Sequence, residues 1–169
     1  MSNYYCQFST TLTPDKTYQL EWWRKYISLV KPVANKIGED HQLLRDLRAE
    51  CERTDVDCPL DDLLDHFDII DDTVYQEMEG PDYSLNEEDT EILFYCEENC
   101  DSFEHLVSLV YIYLCLFEVK QPWSLTWAET CSSMEADAFG GGAVVVARNG
   151  IEYIDMHGWL HETLENLTG

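Results

Sequence analysis

The chain has 169 residues, 45% of them hydrophobic, with 10 Lys or Arg against 34 Asp or Glu and a net charge of −24. This length suits one domain able to bury a substantial core. Its negative potential repels nucleic acid and anionic lipid and attracts basic surfaces, which excludes DNA, RNA and membranes as direct ligands.

Residues Asn3 to Leu12, rich in aromatic, Thr and Ser side chains, predict a first strand. Thr13 then caps a helix with Pro14 at its first position, where a missing N–H costs nothing; Leu20, Trp23, Ile27 and Val30 follow at helical spacing until Pro32. After Gly38, Asp40 is the expected N-cap of a second helix with Leu43, Leu44, Leu47 and Cys51 on its apolar face, fraying near Thr54. A third helix starts at Pro59, carries Leu60, Leu63, Leu64, Phe67 and Val74 as one stripe, and closes at Gly80-Pro81.

The stretch from Tyr83 to Asp89 is polar and has no readable period, whereas Ile92, Leu93, Phe94 and Tyr95 predict a strand within Glu91 to Glu97. Asp101 and Glu104 make a capping-box-like start for a buried helix reaching about Glu118, with Pro122 beyond it. Its most apolar run, Leu106 to Phe117, is shorter than the roughly 20 residues that span a bilayer. Trp123 to Cys131 and Ala143 to Arg148 read as strands, and Asn149-Gly150 predicts a two-residue type I′ turn into a last strand, Ile151 to Met156. A helix from about His157 to Leu167 ends the chain. The order predicts a single α+β domain over residues 1–169: an antiparallel sheet with helices packed on one face and an acidic helical insertion at residues 39–82.

Catalytic chemistry finds little support. Seven cysteines leave one unpaired and follow no secretory signal, which points to a reducing, cytoplasmic setting. Asp55 and Asp57 begin a calcium-loop pattern that Pro59 and Leu60 break. His157 and His161 share a helical face, but Gly158 and Leu160 stand where a zinc enzyme needs its glutamate. Cys96 and Cys100, with His105 nearby, have loose zinc-like spacing and read better as a buried thiol beside surface groups. Gly140-Gly141-Gly142 has no basic neighbour to serve a phosphate and reads as close packing at a strand entry. No catalytic residue, cofactor or metal is assigned, and the protein is expected not to be an enzyme. Among the tryptophans, Trp23 and Trp127 lie on inward faces and Trp22 is the better surface candidate.

The charge is concentrated. Residues 39–98 hold 22 acids against Arg45, Arg48 and Arg53, net −19; residues 1–38 are net +3 and residues 99–169 net −8. Asp61, Asp65, Asp68 and Asp72 fall on one stripe of the third predicted helix, opposite its leucines. Such neighbours stand about 5–6 Å apart at Cβ, comparable to phosphates along a nucleic-acid strand. Asp55, Asp57, Asp62, Asp71, Glu77, Glu79, Asp82, Glu87, Glu88 and Asp89 would broaden that surface.

Asn3-Tyr4-Tyr5, Gln7-Phe8-Ser9, Trp127-Ala128-Glu129-Thr130-Cys131, Phe139-Gly140-Gly141-Gly142-Ala143-Val144-Val145-Val146 and Trp159 resemble segments of small acidic proteins encoded by bacteriophages and prophages. The resemblance covers the two ends of the chain and transfers no catalytic residue. It implies a host-cytoplasmic protein that blocks host defence. Together with the charge, it leads to an expected anti-CRISPR or anti-restriction inhibitor. That inhibitor would occupy the nucleic-acid channel of a basic partner, a CRISPR effector or restriction enzyme, by nucleic-acid mimicry. An acidic adaptor or regulatory subunit of a basic protein, and a small metal-dependent enzyme using His157, His161 or Cys96 and Cys100, are the alternatives.

Overall fold

The computed structural model describes residues 4–31, 41–59, 80–85, 90–97, 103–131 and 139–168. Strand β1 (Tyr4–Leu12) forms where its sequence predicts. Phe8 and Leu12 are buried while Gln7, Ser9 and Thr11 are exposed, the alternation of a strand covered on one face. Helix α1 (Thr17–Tyr26) begins later than Thr13-Pro14 predict. The side chain of Gln19 sets its start by accepting from the Lys16 N–H at 3.1 Å, and Pro14 is buried ahead of it. The expected apolar positions Leu20, Trp23, Ile27 and Val30 are all buried, the last two in a 3-10 turn over Ile27–Val30.

Helix α2 (Gln42–Thr54) is capped by His41, whose Nδ1 accepts from the Leu43 N–H at 3.2 Å; the expected cap, Asp40, lies outside the described residues. Leu44, Leu47 and Cys51 are buried as predicted. The third predicted helix lies outside the described residues between its end points, Pro59 and Gly80.

Strand β2 (Asp82–Ser84) falls in the stretch that showed no period, and pairing with β3 (Ile92–Cys96) defines it. Helix α3 (Glu104–Leu116) is buried at almost every position. Strand β4 (Trp123–Cys131) has the predicted bounds. Strand β5 (Gly140–Ala147) begins at the glycine run, earlier than predicted, and β6 (Gly150–Asp155) passes directly into α4 (Met156–Thr168). The expected β5–β6 hairpin forms, but its turn differs. Ala147 pairs with Gly150, so Arg148 and Asn149 are the loop residues, and neither has the positive φ that type I′ requires. Gly150 takes the positive φ instead.

The sheet is antiparallel throughout, in the order β2-β3-β1-β4-β5-β6. Its covered face presents Phe8, Leu12, Ile92, Phe94, Trp123, Leu125, Val144 and Val146 to the helices, while Ser9, Thr11, Ser124, Thr126 and Val145 face outward and are exposed. The Trp23 ring meets Phe94 at 5.6 Å between centroids. Trp22, the surface candidate, is buried as well, with its ring 5.0 Å from Tyr26, 5.8 Å from Tyr113 and 5.9 Å from Phe117. Two adjacent helical residues are both covered because the sheet encloses α1 on one side and the end of α3 on the other. Among the described residues no helix is long and apolar enough to cross a membrane.

Two features of this packing are directly testable. Gly142 pairs with Trp127, and a Cβ there would strike both the indole ring and the Ile154 carbonyl. Gly142→Ala should therefore cost about 2–3 kcal/mol in urea unfolding, because a backbone carbonyl cannot give way. His105 is buried in the first turn of α3, and burial lowers its pKa to about 4 from an ordinary 6.5. Between those values the unfolded chain takes up a proton that the folded chain refuses, so stability falls on acidification from pH 6.5 toward 4 at up to about 1.4 kcal/mol per pH unit. His105→Leu should lose that slope, gaining on the native chain by on the order of 3 kcal/mol across the window. Parallel pH profiles for the two proteins would refute this assignment.

Candidate functional site

The described part of the acidic region centres on α2 and the residues that follow it. Its first half is electrically compensated. Lys25 Nζ lies 3.2 Å from Asp46, and the Gln42 amide donates to the same carboxylate at 2.6 Å. The Gln42 hydrogen bond, then Lys25, hold the Asp46 carboxyl below its usual range. Glu50 accepts from the Tyr26 hydroxyl at 3.0 Å and lies 3.9 Å from Arg53. These partners come from α1 or from the adjacent turn of α2, so the helix–helix contact doubles as a charge-pairing seam.

The far end of α2 is different. Asp55 takes a left-handed conformation, φ 54°, and its N–H donates back to the carbonyls of Cys51 and Glu52, which ends the helix. A concavity of about 480 Å³ opens there, lined by Arg48, Cys51, Glu52, Asp55, Val56, Asp57 and Cys58. Three carboxylates face one guanidinium, at the helix end whose carbonyls already carry partial negative charge. The combination attracts cations and basic side chains.

Of the residues singled out from sequence, Asp61, Asp62, Asp65, Asp68, Asp71, Asp72, Glu77, Glu79, Glu87, Glu88 and Asp89 lie outside the described residues. Asp82 lies in β2, at one edge of the sheet, and its carboxylate is 2.5 Å from Lys31 Nζ. The described acidic side chains that flank this region, Glu52, Asp55, Asp57, Asp82, Glu91 and Glu97, are all exposed.

The candidate metal ligands do not converge. His157 and His161 are exposed on α4, with His161 Nε2 3.7 Å from Glu165 Oε1. Cys96 is buried at the end of β3, and Cys100 lies outside the described residues. Among the described residues no group of three or more His, Cys, Asp or Glu is placed to hold a metal ion. A grouping missed from sequence surrounds the glycine run: a Cβ on Gly140 would lie 2.6 Å from Glu129 Oε2 and 2.8 Å from His157 Nε2. Glu129 also accepts from the Trp127 indole N–H at 3.2 Å. No fixed spacing links these positions; the β4–β5 register and the β6–α4 junction bring them together.

The Lys31–Asp82 pair yields a stability prediction. Half-exposed ion pairs contribute about 0.2–1 kcal/mol and are weakened by salt. Asp82→Asn should cost about 0.5 kcal/mol in low-salt unfolding, and the difference should vanish at high salt. The chain matches no known protein-family model, no curated protein and no solved structure.

Proposed function

We propose that the protein is an inhibitor that binds the nucleic-acid channel of a basic host defence complex, an anti-CRISPR or anti-restriction protein acting by charge mimicry. The observation that carries this reading is the concentration of charge: net −19 over residues 39–98, in a chain whose first 38 residues are net +3. Acidity serving solubility alone would be spread over the surface. Here it is gathered between the end of α2 and the β3 strand, where the described flanking carboxylates are exposed.

A row of carboxylates spaced about 5–6 Å apart on a helix presents a basic groove with charges at roughly the pitch of phosphates. Like charges at that spacing cost the helix about 0.2–0.5 kcal/mol per pair. Such a row contributes nothing to folding and is explained by a partner. Steering by the long-range potential would make association fast and strongly dependent on ionic strength. Direct binding of nucleic acid is excluded by the same charge.

The test replaces Asp61, Asp65, Asp68 and Asp72 together with Asn and measures both inhibition of a target complex and thermal unfolding. Inhibition should be lost with the unfolding temperature kept, and added nucleic acid should displace the native protein from its captured partner. Undiminished inhibition by the fourfold variant would rule out the mimicry.

A further inference from the structure

We propose that a second copy of this chain docks on the apolar face of α4, giving an antiparallel, two-fold dimer. This inference is independent of the acidic region. Helix α4 starts without a loop after β6, fixed by Asp155, whose carboxylate accepts from the Gly158 N–H at 2.6 Å. At 3.6 residues per turn, Met156, Trp159, Leu160, Leu164 and Leu167 fall within an arc of about 140°, and His157, His161, Glu162 and Glu165 fall outside it. A helix patterned in this way buries its apolar arc. Here the five side chains remain 52%, 55%, 47%, 52% and 79% exposed.

Tyr153, in the strand that leads into α4, is another exposed aromatic side chain. It pairs with the buried Val144, so it projects from the helix-covered face of the sheet, yet it is also half exposed. Fully covering an aromatic side chain removes roughly 150–250 Å² from water, and an aliphatic one somewhat less. These six side chains therefore leave roughly 600–700 Å² of apolar surface in contact with water. The five on α4 alone account for roughly 500 Å², at the upper end of the roughly 300–600 Å² of the largest patch on an ordinary monomer. With a polar rim, such a surface reaches the roughly 800 Å² that each partner contributes to a standard interface.

Self-complementarity identifies the occupant. The first half of α4 carries His157 and His161, and the second half Glu162 and Glu165. An antiparallel pair sets the histidine half of one helix against the carboxylate half of the other and opposes the two helix dipoles. A parallel pair would set carboxylates against their own copies. The same two-fold arrangement aligns Met156 with Leu167 of the partner subunit and Trp159 with Leu164 of the partner subunit. A two-fold interface has this reciprocity by construction. Residues 139–168 hold one arginine and four acids, so the segment itself carries little net charge to oppose self-association.

Sedimentation analysis of the full chain over a concentration series tests the proposal. The native chain should approach twice its 19.7 kDa mass. Leu160→Arg with Leu164→Arg should raise the dimer dissociation constant about a hundredfold or more, since each removes a central apolar anchor. Both positions are exposed, so the unfolding temperature should change little; Trp159→Ser provides a second variant with the same expectation. A native chain that stays at the mass of one copy would overturn the proposal, as would a double-arginine variant that still dimerises. Strong amide-exchange protection of α4 in a monomer would assign the patch to the chain's own residues and overturn it equally. Loss of a different bound protein in the arginine variant, with no dimer in the native chain, would transfer the surface to that protein.

Discussion

Helix α3 imposes the main constraint on this architecture. From His105 to Leu114 every position except Tyr111 is buried, so it has no face to turn toward water. A helix that is apolar all round must be enclosed. The sheet covers one side, and α2 with the 3-10 turn covers the other, which obliges the chain to lay down elements both before and after it. The aromatic cluster follows from that enclosure. Tyr113 meets Trp22, Trp23 and Phe117, and burial, with Asp15 and Tyr18 nearby, pushes its hydroxyl up to about 12. The cost of such burial appears in the two indole N–H groups of Trp22 and Trp23, which find no acceptor among the described residues. The area those rings remove from water outweighs it.

Strands with alternating or uniformly apolar patterns, and the apolar run of α3, were readable because their burial is periodic along the chain itself. β2 was not: three residues are too few to show a period, and its identity rests on hydrogen bonds to β3. The start of β5 was hidden because Gly140, Gly141 and Gly142 have poor strand propensity. Their place in the sheet is explained by Trp127, whose ring occupies the space that a Gly142 side chain would need. The hairpin turn lies one residue before the predicted one, since the Asn-Gly pair fits type I′ only if the register allows it. Trp22 reads as the better surface candidate because helical periodicity tells which face is apolar, not how many neighbours surround it.

The candidate site divides similarly. Counting acids locates the charge, but only tertiary contacts reveal which carboxylates are already paired: Asp46 with Lys25, Glu50 with Tyr26, Asp82 with Lys31. Those partners are 20 or more positions away in sequence, beyond the reach of any spacing rule. At the end of α2, Glu52, Asp55 and Asp57 line one concavity together with the guanidinium of Arg48. Among the described residues, several of the region's carboxylates are therefore already engaged within the fold. The amphipathic pattern of α4 was equally legible, but that its apolar arc would face water is a property of the fold.

The position of β1 affects how the protein comes to be folded. The first strand of the chain lies in the interior of the sheet, flanked by β3 and β4. It therefore waits for partners made much later: Tyr4 pairs with Cys131, and Leu12 with Ile92. By contrast, β4, β5 and β6 are successive neighbours that zip together through local contacts. Long-range pairings slow folding because the loop between them must close first. During synthesis β1 emerges with both of its edges unpaired, a state that invites association between nascent chains. The like charge of the intervening segment keeps such chains apart until β4 arrives. On this view, the acidity that obstructs compaction also protects the slowest step in reaching it.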